Sequence, residues 1–109
     1  MTENGIGEIV IGAAIKVHSA VGPGLLGVRT RKQVIVPLRY EGLTVDNGYR
    51  IDLLVEDRVV VELKAVAAIL PVHRGQLLSY LRLGGFKLGY LLNFHVPQMR
   101  DGIVRMVNG

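Results

Sequence analysis

Cysteine and tryptophan are both missing from this chain. Disulfides and thiolate metal sites are therefore excluded, and a reducing, cytoplasmic setting is expected. Aromatic residues are scarce, four tyrosines and two phenylalanines, too few and too scattered for a single-strand stacking platform. No apolar run approaches the ~20 residues of a membrane helix. The acidic N-terminus lacks the charged-then-apolar order of a secretory signal, so no membrane association is expected. Repeats, low-complexity tracts and interdomain linkers are also lacking. What remains is a single domain, residues 1–109, with enough chain for one modest core.

Half of the residues are hydrophobic and the mean hydropathy is +0.36. That surplus is high for a small domain and hints at an exposed apolar patch, with a homodimer as one way to cover it. The net charge is +4, a mild basic bias compatible with nucleic acid. Arg29, Arg31 and Lys32 form the one short basic cluster, which reads as a solvated loop more readily than as a phosphate contact, with Arg31-Lys32-Gln33 resembling the start of the first strand.

The informative stretch runs from Gly48 to Ala65. It reads as two β-strands joined at Glu56-Asp57-Arg58. Alternate residues of a strand share a face. Ile51, Leu53, Val55, Val59, Val61 and Leu63 then make one apolar face, and Arg50, Asp52, Leu54, Val60, Glu62 and Lys64 the other. A two-residue loop would send Asp52 and Glu62 to opposite faces, because a one-residue slip reverses every side chain. Glu-Asp-Arg lacks the Asn-Gly or Asp-Gly signature of that turn, which favours a three-residue loop. Both acids then stand on one face, roughly 4.5–8 Å apart at Cβ.

Like charges across strands repel, and partial burial raises the cost. A divalent cation such as Mg2+ compensates, since it takes one or two carboxylates together with phosphate oxygens. Lys64 lies on the same face and would orient a water or steady developing negative charge. The plainer alternative is a half-wet sheet with cross-strand ion pairs, Arg50 with Glu62 or Asp52 with Lys64.

Asp52 followed by Glu62-Leu63-Lys64 resembles the signature of the PD-(D/E)xK nuclease superfamily. An ordered set of segments resembles its GxxExxY branch more specifically: Ile11–His18, Val21–Leu26, Leu38–Gly42, Gly48–Asp52, Val61–Ala65, Pro71–His73, Gln76–Leu81, Leu92–Phe94 and Val107–Gly109. The sequence departs from that branch where Gly27 and Thr30 stand in place of its glutamate and tyrosine, and a helix's worth of residues is missing. The resemblance implies a restriction-endonuclease-like α/β core, a mixed β-sheet flanked by helices in the order α-β-β-β-α-β, lacking one family helix. It also implies Mg2+ or Mn2+ held by Asp52, Glu62 and the Leu63 carbonyl, with Lys64 as the third catalytic residue. Gln76 and Tyr80 would contact the substrate phosphate and backbone. The substrate would be nucleic acid, DNA rather than RNA, unless the chain is a non-catalytic remnant that only binds nucleic acid or protein.

Elsewhere, apolar spacing predicts a helix from Ile6 to about Ala20 with Asn4 as its N-cap, Met1–Gly5 being frayed. Gly22-Pro23-Gly24 would end it, with His18 as a capping or packing histidine. Gln33–Tyr40 reads as a strand with Pro37 at an edge or bulge. Asp46-Asn47-Gly48 reads as a turn. A second helix is expected from Pro71 to about Leu83, with Leu77, Leu78 and Leu81 inward and His73 on the surface. Lys87–Phe94 reads as a strand covered on both faces, and Ile103–Val107 as an edge strand.

Overall fold

A computed structural model describes residues 2–19, 30–40 and 43–109. The element order is α1 (Glu3–Ser19), β1 (Thr30–Tyr40), β2 (Leu43–Val55), β3 (Val59–Lys64), α2 (Pro71–Gly84), β4 (Leu88–Asn93), a 3-10 turn at Met99–Gly102 and β5 (Ile103–Val107). The strands form one sheet in the order β1-β2-β3-β4-β5. Among the described strands β3 and β4 run parallel, and the other neighbours are antiparallel. Parallel neighbours need a crossover, and α2 supplies it. The result is a mixed sheet flanked by helices, a restriction-endonuclease-like α/β fold.

The two helices divide the core. Ile6, Val10 and Ala14 of α1 pack with Val55, Val59, Val61, Leu88, Tyr90 and Leu92 on one face of the sheet. On the other face, Leu77, Tyr80 and Leu81 of α2 pack with Leu54, Val60 and Leu91. All six residues of β4 are buried, as an apolar strand between two helical layers must be. Ile51 departs from the expected alternation and joins the α2 side, beyond the last β2–β3 rung at Leu53/Val61.

Several local expectations need correction. The cap of α1 is Thr2, whose Oγ1 accepts from Gly5 N at 3.0 Å. This serves the orphan donor of the first turn, so the helix begins at Glu3 and residues 3–5 are helical. Asn4 is instead inside the helix, where its Oδ1 accepts from Arg105 Nη2 at 2.8 Å. Asp46-Asn47-Gly48 is no turn: β2 runs straight through it. The register steps from Val36↔Tyr49 to Leu38↔Val45, so these three residues bulge opposite Pro37, which has no amide to offer a ladder. Of the basic cluster, Arg31 and Lys32 lie in β1, and Arg31 Nε pairs with Asp57 Oδ1 at 2.9 Å. The turn at Gly22-Pro23-Gly24, the Gly27 position and the missing helix lie outside the described residues, as does the side chain of His18.

Gly102 shows how closely the site end of the sheet is packed. It is buried, and a Cβ added there would fall on the Asn93 carbonyl oxygen. A backbone atom cannot yield as a side-chain tip can. Gly102→Ala is therefore expected to lower the unfolding free energy by about 2–3 kcal/mol, as overpacked cores do, which urea melts will read.

Candidate active site

The hairpin between β2 and β3 fixes the placement of both acids. Its loop is Glu56-Asp57-Arg58, with rungs Val55↔Val59, Leu54↔Val60 and Leu53↔Val61. Arg58 N donates to Val55 O at 3.0 Å, and Glu56 and Asp57 both take positive φ, 53° and 54°. That backbone matches the strand twist as a primed turn does. Three loop residues give the odd count, so one further step of the register sets Asp52 opposite Glu62.

At that step the backbone ladder stops and side chains take its place. Asp52 N donates to Glu62 Oε1 at 3.1 Å. Leu63 N donates to Asp52 Oδ2 at 2.9 Å. Each carboxyl group thus occupies the neighbouring strand's free amide, and the strands part around them. On its other side β3 stays paired to β4 as far as Lys64↔Asn93. The acids sit at the carboxyl end of the parallel pair, where open α/β sheets place their ligand crevice.

Glu62 is 4 % exposed. Burial pushes its carboxyl up to about 8. The Asp52 amide hydrogen bond opposes the rise, the Asp52 charge and side-chain hydrogen bond add to it, and Lys64 pulls it down. At neutral pH Glu62 therefore carries a proton in the metal-free protein. Burial and a like charge, not an ion pair, set its state. Among the described residues neither cross-strand ion pair, Arg50–Glu62 or Asp52–Lys64, is formed, whereas Arg31 does pair with Asp57.

The other predicted residues divide. Lys64 is half-buried at the end of β3, on the α2 side with Glu62 by strand alternation. The Leu63 side chain turns the opposite way and is 42 % exposed. Gln76 is exposed on α2, whereas Tyr80, one turn on, is 4 % exposed within the α2-side core. They share a helix but not an environment. His73 is not a free surface histidine: its Nδ1 accepts from Leu70 N at 2.9 Å and caps α2.

Asn93 is the residue that sequence reading passed over. It is 3 % exposed. Its Oδ1 accepts from Val66 N at 3.1 Å and from His95 N at 3.2 Å, while Nδ2 donates to Val66 O at 2.9 Å. Phe94 N donates to Lys64 O at 2.9 Å alongside. One carboxamide thus ties the exit of β3 to the exit of β4. The available signal was an amide at the end of an otherwise apolar strand, because a buried polar group must find partners. Asn93→Ala strands both polar groups of Val66 and is expected to cost about 2 kcal/mol in denaturant unfolding.

No curated protein and no solved structure matches the chain. The family model of the PD-(D/E)XK nuclease superfamily matches residues 25–106. That span contains the hairpin, both acids, Lys64, the α2 crossover and Asn93, and it covers most of the chain. This protein belongs to the PD-(D/E)XK nuclease superfamily.

Proposed function

We propose that the chain is a metal-dependent phosphodiesterase of nuclease type, acting on nucleic acid, DNA in preference to RNA. The observation that carries this reading is the crossed pair of hydrogen bonds between Asp52 and the Glu62-Leu63 unit. They hold two carboxyl groups together where the strands part. Asp52 and Glu62 would hold Mg2+ or Mn2+, with the Leu63 carbonyl as a further oxygen donor. The donor set fits such an ion, which takes hard oxygen ligands and leaves positions for water and phosphate. Among the described residues no third acid, histidine or cysteine joins the pair, so two carboxylates would carry the protein's share. Bound there, the cation supplies charge neutralisation at the scissile phosphate and acidifies water.

The chain's own residues supply the rest. Glu62 must release its proton before it can act as an anionic ligand. Lys64 orients the attacking water and stabilises charge developing on the phosphoryl oxygens. The water oxygen bonds to phosphorus as the opposite P–O bond breaks, and the proton lost by water balances the one gained by the leaving oxygen. Gln76 would hydrogen-bond the phosphate from the exposed side of α2. Tyr80 would serve the substrate through the helix it anchors in the core. Within the superfamily, the ordered segments from Ile11 to Gly109 favour the GxxExxY branch.

The test is cleavage of labelled DNA and RNA strands with Mn2+. Cleavage that needs the metal and disappears in Asp52→Asn supports the proposal. Equal cleavage by wild type and variant, or none by either, removes it and leaves a non-catalytic binder.

A further inference from the structure

The connection from β3 to α2 and the first two residues of that helix, together Ala65–Val72, contain no charged or hydroxyl side chain, yet most of the segment faces solvent. Ala65, Ala67, Ala68 and Pro71 are exposed, Leu70 is 51 % exposed and Val72 68 %. An apolar loop with this exposure loses the usual benefit of burying its side chains. It is nevertheless held in place. Asn93 binds both the N–H and the C=O of Val66, His73 binds the N–H of Leu70, and Ile69 packs against the α2-side core. A loop fixed at three points with its apolar side chains outward is preorganised for contact, and a partner ordering it has little entropy to lose.

Its place in the fold narrows the partner. The loop begins at the residue after Lys64, and Val66 is tied to Asn93 at the exit of β4, so its start lies at the same end of the parallel pair as the acids. The first turn of α2 holds no acid, and Arg74 there is exposed. Apolar contact flanked by positive charge suits a nucleotide, with its base face on the loop and its phosphate at the site. A second copy of the chain fits less well: six exposed residues fall far short of the roughly 20 a side that a stable protein interface uses.

Base faces are open to such a loop only when they are not stacked in a duplex. Resting on the nuclease reading above, we infer that Ala65–Val72 is the surface on which the bases of single-stranded nucleic acid lie beside the scissile phosphate. Aliphatic side chains here take the part that the scarce aromatics cannot.

Fluorescence anisotropy with a labelled oligothymidylate, a base-free strand of equal length and a duplex tests this, using about 12 nucleotides, within the span one such groove binds. The double variant Leu70→Ser/Val72→Ser changes only exposed side chains, and serine is a favourable N-cap at position 70, so circular dichroism should show the fold kept. Wild type is expected to bind oligothymidylate roughly tenfold more tightly than the base-free strand. It should also prefer oligothymidylate to the duplex, and the double variant should lose both preferences while keeping the salt dependence of its phosphate contacts. Equal affinity for the two single strands, an unaffected double variant, or no binding at all would overturn the inference. So would a wild-type dimer in light scattering that the double variant dissolves. Cleavage without the base preference removes this inference alone, and the base preference without cleavage removes the nuclease reading alone.

Discussion

Raising the pH from 4.5 to 8 is expected to destabilise the metal-free protein by on the order of 4 kcal/mol, and Glu62→Gln is expected to abolish most of that loss. In the unfolded chain the Glu62 carboxyl releases its proton near 4.5, whereas in the fold it holds the proton up to about 8. Between those values the native state binds more protons than the unfolded state. Stability therefore falls as pH rises, by about 1.4 kcal/mol for each pH unit, and levels off outside the window. For a domain of this size the total corresponds to a drop in Tm of roughly 15 °C or more. Glutamine keeps the geometry of the protonated acid. Its oxygen can still accept from Asp52 N, and its amide can donate where the carboxyl proton did. Thermal melts across pH with chelator present give the comparison, and a wild-type profile as flat as the variant's would mean that Glu62 is ionised throughout.

Lys64→Ala is expected to slow metal-dependent cleavage by about 10²–10³, the scale of losing one preorganised donor at developing charge, while Mn2+ affinity holds or improves. The reason is electrostatic: removing a cation from beside two carboxyl groups cannot weaken their hold on another cation. Lys64→Arg should restore little, because a planar guanidinium does not reproduce a compact ammonium at the same point. Single-turnover rates at saturating metal separate chemistry from metal binding. Weakened Mn2+ binding in Lys64→Ala would show instead that the lysine acts by holding the end of β3 in place.

How far the sequence disclosed this arrangement depends on which interactions are local. The three-residue loop at Glu56-Asp57-Arg58 was legible because its residues disfavour a two-residue turn, and the pairing of Asp52 with Glu62 then followed from strand periodicity alone. The α2 helix was legible in the same way, since Pro71 opens it and Gly85, at φ 72°, closes it. The bulge opposite Pro37 was not. Asp-Asn-Gly is a strong turn signal, and only the long partnership of β1 with β2 keeps those residues extended. The depth of Tyr80 was not legible either, because its helix position one turn from Gln76 says nothing of how deeply α2 seats; the cluster with Ile51, Leu54 and Val60 decides that. The proton on Glu62 comes chiefly from its burial in the assembled sheet, and the Asn93 clamp spans 27 positions of chain; the local sequence marks Asn93 only as an amide ending an apolar strand and does not name its partners.

The account rests on Asp52 and Glu62 forming one cation site whose loading displaces a proton. Calorimetric titration of Mn2+ at pH 7, run in two buffers of different ionisation enthalpy for wild type and Asp52→Ala, measures both features at once. The account predicts binding by wild type with release of close to one proton, about the share that Glu62 still holds at that pH, and no binding by the variant. Binding without proton release, or equal binding by Asp52→Ala, would contradict it.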